Sequence, residues 1–213
     1  MKLKMYTSLL ALCLAGSSFL KASVPSDRIY IEKVSAMGTG CPKDTAFINI
    51  SPDKQVFTAI FSAFQAVIDP FSPATSYADR QKRCDLAVKV NVPHGWQFSV
   101  FQADYEGWYD LQRGITMTQT STYHFQGNDR HGKRSVISAD SRNISGNFHF
   151  IDEVGVSSVE WSDCGAPRNM FITSELRLSS TNQSAVGVAG IDAIEGQFKL
   201  KSSFGIRWRQ CRR

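Results

Sequence analysis

The sequence predicts an all-β protein: an antiparallel β-sandwich of jelly-roll or immunoglobulin-like type, carrying two disulfides and preceded by a signal-peptide helix. Three observations predict it. Apolar residues recur with period two along most of the chain, between turns rich in Gly, Pro, Asn, Asp and Ser. Behind the leader no long amphipathic helical pattern or internal repeat interrupts that rhythm. Finally, the leader's removal leaves Cys41, Cys84, Cys164 and Cys211, an even set in an exported chain.

The leader is read from "MKLKMYTSLLALCLAGSSFLKAS". Lys2 and Lys4 form a basic start, Met5 to about Leu14 an apolar run, and small residues follow at Ala15–Ser18 and Ala22–Ser23. The run falls short of the roughly 20 apolar residues that span a bilayer. Residues 1–22 are therefore assigned as signal peptide and 23–213 as a single β-sandwich domain. Ala15-Gly16-Ser17 and Leu20-Lys21-Ala22 both partly fit the cut site. Without Lys2, Lys4 and Lys21 the chain carries 21 basic and 19 acidic side chains, so the high isoelectric point loses most of its meaning. The basic clusters that remain, "RHGKR" (Arg130–Arg134) and "RWRQCRR" (Arg207–Arg213), read as a solvated loop and tail, and nucleic acid is not an expected partner.

Taken in order, "AFINI" (Ala46–Ile50) alternates and stops at a Ser-Pro-Asp turn. "QVFTAIFSAF" sets Phe57, Ala59 and Phe61 on one face and Ile60 and Phe64 on the other. Asp69–Arg83 holds two prolines and little periodicity, and reads as a loop. "LAVKVNVPHGWQFSV" is a hairpin: Leu86, Val88, Val90 and Val92 face inward, "VPHG" turns, and Trp96, Phe98 and Val100 resume the inward face. "ITMTQTSTYHF" sets Ile115, Met117, Tyr123 and Phe125 against a threonine row at 116, 118, 120 and 122. "GNDRHGKRSV" reads as a loop, Asn143–Trp161 as two short strands and "NMFITSELRL" as another strand. Ser179–Gly190 reads as a flexible connection. "FGIRWRQC" closes the chain with Phe204, Ile206 and Trp208 inward.

These stretches also occur in a recognisable order: "GTGCP", "INISPD", "CDLAVKVNVPHGWQFSV", "ADYEGW", "YHFQG", "VEWSDCG", "NMFITSELRL" and "IRWRQC". From Ile29 to Cys211 the chain resembles domain-of-unknown-function family 4360, small secreted proteins of bacteria and fungi. Glu106 stands where a basic residue is common in that family, and residues 128–141 are more basic than the pattern. The resemblance implies secretion and a β-rich domain, and supplies no activity.

Several constellations of residues are candidates for chemistry. Four cysteines allow three pairings. Their positions beside strands favour Cys41–Cys84 with Cys164–Cys211, each pinning one half of the sandwich; the nested arrangement Cys84–Cys164 with Cys41–Cys211 is the rival. No C-x-x-C spacing exists and no His lies close in sequence to a cysteine, so no metal is expected. "ADYEGWYD" (Ala103–Asp110) mixes carboxylates with aromatic rings, as a sugar-binding cleft does. Asp104, Tyr105, Glu106 and Trp108 are the candidate ligand residues, with Trp96 as a neighbour; the plainer reading is a strand end turning at Gly107. Arg168, Glu175 and Arg177 suit cross-strand ion pairs. The four histidines are scattered, and neither His-Glu-x-x-His nor Gly-x-Ser-x-Gly is present. Asn143-Ile144-Ser145 and Asn182-Gln183-Ser184 fit the glycosylation acceptor, relevant in a eukaryotic source. Gly38-Thr39-Gly40 lacks the third glycine of a dinucleotide loop and the Lys of a P-loop, so "GTGCP" reads as a corner.

The expectation is thus an exported binding or interaction module for a glycan or an extracellular protein, with no cofactor and no catalytic residue assigned. The alternatives are a carboxylate-dependent extracellular hydrolase and a secreted inhibitor or envelope component.

Overall fold

The computed structural model describes residues 30–50, 52, 56–125, 131–153, 161–165, 168–191 and 200–211. The expected signal peptide, residues 1–22, and the helix expected for it lie outside the described residues. Among the described residues the chain forms β1 (Tyr30–Met37), β2 (Ala46–Ile50), β3 (Val56–Phe61), β4 (Phe64–Ile68), β5 (Gln81–Asn91) and β6 (Trp96–Leu111). β7 (Ile115–Phe125), β8 (His131–Ser138), β9 (Ile144–Glu153), β10 (Arg168–Ser180), β11 (Gly187–Ile191) and β12 (Leu200–Gln210) follow. The described helix is one 3-10 turn, Tyr77–Arg80, and none of the described helical structure is long and apolar enough to cross a membrane.

The strands form two antiparallel sheets. One runs β1-β5-β10-β7-β8. The other is built on β6, the longest strand: β12 and then β11 lie along one edge, and β9 along the other. Beyond β12 and β11 come β3 and β4, with β2 outside β3. The core lies between the sheets. Leu86, Val88 and Val90 of β5, Met170, Ile172 and Leu176 of β10, and Ile115 and Met117 of β7 face Phe61, Phe64, Ile68, Phe98 and Leu111 of the second sheet, and all are buried. The period-two readings of β5, β7 and β10 hold residue by residue. The side chains of Phe57, Val100, Phe204, Ile206 and Trp208 lie outside those described.

The pairing Cys41–Cys84 with Cys164–Cys211 is the one formed. The first bridge is fully buried, whereas Cys164 is exposed. The corner before Cys41 is required by contact: Gly38 has φ of 141°, and a Cβ there would stand 2.1 Å from the Arg83 carbonyl oxygen. At Gly40 a Cβ would stand 2.5 Å from the Phe64 ring.

Three local readings are corrected. "GNDRHGKRSV" is not all loop, since His131–Ser138 is edge strand β8; an edge tolerates the charges of Lys133 and Arg134 that a central strand would not. Ser179–Gly190 is not simply a connection. Gly187–Ile191 forms β11, because Gly187, Ala189 and Gly190 are small enough to be buried between β4 and β6. The Asp69–Arg83 loop ends earlier, at the 3-10 turn, with β5 starting at Gln81. Of the two strands expected within Asn143–Trp161, β9 is formed and residues 154–160 lie outside those described.

Candidate functional site

The candidate stretch Ala103–Asp110 lies within β6 and does not end at a turn. Gly107 sits mid-strand, where a Cβ would stand 2.4 Å from the Phe148 ring and 2.8 Å from the Gly190 carbonyl oxygen. Which way this stretch faces is decided by a bulge. Ile206 pairs with Val100 and its neighbour Gly205 with Gln102, so Phe101 has no partner on β12. Before the bulge the buried apolar residue is Phe98, whose ring packs on Phe125 of the facing sheet, while its neighbour Ser99 is buried as well; after the bulge the buried positions are Ala103, Tyr105 and Leu111. The inward parity switches from even to odd.

That switch divides the candidate residues. Tyr105 is 1% exposed and lies in the core, so it is corrected from a ligand-contacting residue to an interior one. Asp104, Glu106, Trp108 and Asp110 share the outer face. Strand β9 sets Ile151 opposite Asp104, His149 opposite Glu106, Asn147 opposite Trp108 and Ser145 opposite Asp110. The His149 Nε2 stands 3.8 Å from the Asp104 Oδ1, a diagonal contact between the strands. On the other side Gly190 of β11 lies opposite Trp108. A Cβ at Gly190 would stand 3.2 Å from the indole and 3.3 Å from Gln65 Cγ, so the missing side chain makes room for the ring to lie over β11. Trp108 is thus a half-exposed ring seated on backbone, flanked by carboxylates and by His149 and Asn147. Trp96, the suggested neighbour, lies at the opposite end of β6 and before the bulge; it does not join this group.

Behind this face lies a buried polar cluster that the sequence reading missed. The Tyr105 and Tyr123 hydroxyls are 2.5 Å apart, and Tyr123 donates to Asp152 Oδ2 at 2.9 Å. Ser121 donates to the same carboxylate oxygen. Lys133 Nζ, from β8, donates to the Ile151 carbonyl and stands 3.8 Å from Asp152 Oδ1. Among the described residues neither amide atom of Gln119 has a hydrogen-bond partner. Burial pushes both phenols well above the ordinary tyrosine range, and the nearby Asp152 carboxylate adds to the effect. The cluster joins β6 and β9 of one sheet to β7 and β8 of the other, so its chemistry is that of an inter-sheet tie. Its sequence signal was Gln119 and Ser121 on the inward parity of β7.

Elsewhere, no group of three His, Cys, Asp or Glu side chains able to hold a metal is found among the described residues. On the outer face of the first sheet, Arg83 makes a bidentate contact of 2.8 Å to Asp85, which also accepts from Thr173. Glu175 lies opposite Arg83 and adds to the attraction that raises the arginine further above its ordinary range. The terminal "RWRQCRR" is not simply a solvated tail: Arg209 lies 4.0 Å over the Trp161 ring and donates to Gln97.

A family model described as "Domain of unknown function (DUF4360)" matches residues 27–211. This chain belongs to the DUF4360 family. An "Uncharacterized secreted protein" of Arthroderma benhamiae is 35% identical over 185 residues, covering 87% of this chain and 73% of the relative. Among solved structures, TmCBM61 in complex with β-1,4-galactotriose aligns over 84% of this chain and 90% of its own at 10% identity, with a TM-score of 0.24. The enzymatically active domain of bacteriophage CBA120 tailspike protein 4 aligns over 87% of this chain and 20% of its own at 13% identity, with a TM-score of 0.21. At such scores neither ligand nor activity transfers from those proteins to this DUF4360 chain.

Proposed function

We propose that the protein is an extracellular, non-catalytic recognition module that binds a glycan on the outer face of β6. The observation that carries the reading is the Trp108 ring seated over Gly190 with Glu106, Asp110, Asn147 and His149 around it. A half-exposed indole offers an apolar face to the C–H side of a sugar ring, while carboxylate and amide groups take its hydroxyls. The ring is held by backbone packing, so little conformational entropy is lost on binding. Secretion of the Arthroderma relative and the two disulfides support an extracellular setting.

A glycan array probed with the mature protein, its Trp108→Ala variant and its Glu106→Gln variant tests this. Binding to a glycan class is expected, weakened at least about tenfold by Trp108→Ala, which corresponds to about 1.4 kcal/mol. An empty array, or equal binding by Trp108→Ala, would overturn the glycan reading. Release of reducing ends that is lost in Asp104→Asn and in Glu106→Gln would make the face hydrolytic instead.

A further inference from the structure

We propose that β9 is a self-association edge: two copies pair antiparallel through this strand, joining their β6 faces into one continuous surface. A free sheet edge presents a row of backbone donors and acceptors, and proteins that stay monomeric guard it by shortness, by charge or by proline. In the five-stranded sheet, β1 carries Glu32 and Lys33, and β8 carries Lys133 and Arg134. In the second sheet, β2 and β4 are five residues each.

Strand β9 differs from all four. It runs for ten residues, pairs with β6 and, among the described residues, with no other strand, and reads "ISGNFHFIDE". It has no Lys, Arg or Pro, and its acids fall at the last two positions. Among the described residues, the bonds that reach β9 from outside its β6 pairing all fall at its far end: Lys133 donates to the Ile151 carbonyl, and Ser121 and Tyr123 donate to the Asp152 carboxylate, which turns inward. Ile151 is itself 40% exposed. The stretch from Ile144 to Phe150 thus carries no such contact among the described residues, and it is free of like charges that would repel a second copy.

Its sequence is also compatible with its own antiparallel image. Directly opposed residues of an antiparallel pair point to the same face. A two-fold axis through Asn147 or Phe148 therefore keeps Ser145, Asn147 and His149 on the outer face of both copies. β8 begins near the same edge, as the Lys133 contact shows, and its basic residues confine the pairing to the β6 sheet. The partner adds a second row of Asn147, His149 and Trp108 across the joint. Resting on the glycan reading, this would let a repeating polymer engage two faces at once and gain avidity without any new kind of contact. One strand pair is a small interface, so a weak and concentration-dependent dimer is expected.

The association itself is measured without any glycan, so its failure is separable from failure of the binding reading. Sedimentation velocity on the mature protein, from about 5 μM to about 500 μM, should show the weight-average mass rising towards twice that of the monomer, as a weak interface requires. Asn147→Lys combined with His149→Lys should hold the protein monomeric, and Val136→Lys on β8 should leave dimerisation unchanged. Hydrogen exchange on the unmodified protein reads the same contact should the double variant misfold: amides of residues 144–151 should gain protection with concentration and those of β8 should not. A native-like protein that stays monomeric throughout, or a dimer lost in Val136→Lys and kept in the β9 variant, would overturn the proposal.

Discussion

At the scale of single residues, Asp152 has the largest predicted effect. Its buried carboxylate accepts from Ser121 and Tyr123, and Asp152→Ala strands both donors and leaves Lys133 without its neighbouring charge. A loss of about 2–4 kcal/mol is expected from denaturant unfolding. The tyrosines predict a pH dependence. The phenols of Tyr105 and Tyr123 are raised by burial and stay protonated in the folded state at pH values where an exposed tyrosine ionises. Above about pH 10 the unfolded chain therefore binds fewer protons than the native one, and stability falls as pH rises. In an alkaline jump, tyrosinate absorbance from these two residues should appear with the kinetics of unfolding, whereas instantaneous ionisation of all tyrosines would contradict their burial. Asp79 acts in the opposite direction. Its bond to Lys82 and its bonds from Ser76 hold the carboxyl well below the usual aspartate range. That contribution is present above the ordinary aspartate pKa and is lost as pH falls below it; the group is exposed to solvent, so the effect is local loosening of the 69–80 loop.

At the scale of elements, the two disulfides should behave differently although they close loops of similar length, 43 and 47 residues apart. In the chain-entropy model each contributes roughly 4 kcal/mol. Cys164 is exposed and Cys41 and Cys84 are fully buried, so graded reductant with thiol labelling should open Cys164–Cys211 first. Labelling of Cys84 before Cys211 would contradict the packing. Within β6, Gly107→Ala forces a Cβ against Phe148 and the Gly190 carbonyl, and a loss of about 1–3 kcal/mol is expected from overpacking. The strands that alternate against one apolar face were legible from the period-two pattern alone, as β5, β7 and β10 show. β8 and β11 were not. Their identity depends on neighbours: β8 is extended because β7 offers it an edge, and β11 because Gly187 and Gly190 fit into a slot between β4 and β6.

At the scale of the whole molecule, the outer faces of β6 and its neighbour β9 are one continuous region of the second sheet. Charge on β9 should abolish pairing, so that binding falls further for a polymer than for a short oligosaccharide even though Asn147 and His149 stand beside Trp108, whereas Trp108→Ala should reduce affinity for the short oligosaccharide and leave the oligomeric state unchanged. Measuring both variants against both ligand lengths separates recognition from valency.

The sequence by itself determined the fold class, the inward rows of the regular strands, the turn at Pro93–Gly95, the corner at Gly38–Cys41 and the disulfide partners judged best. These are local properties: a period of two, a backbone that needs glycine, and cysteines placed beside strands. Only the tertiary structure decided which way "ADYEGWYD" faces. Continuing the even inward parity of Phe98 would have buried Asp104, Glu106 and Trp108 and exposed Tyr105. The unpaired Phe101 reverses that parity, and it is unpaired because β12 advances from Gly205 to Ile206 while β6 spans three residues. A bulge is a mismatch between two strands about a hundred residues apart, so no period within either strand records it.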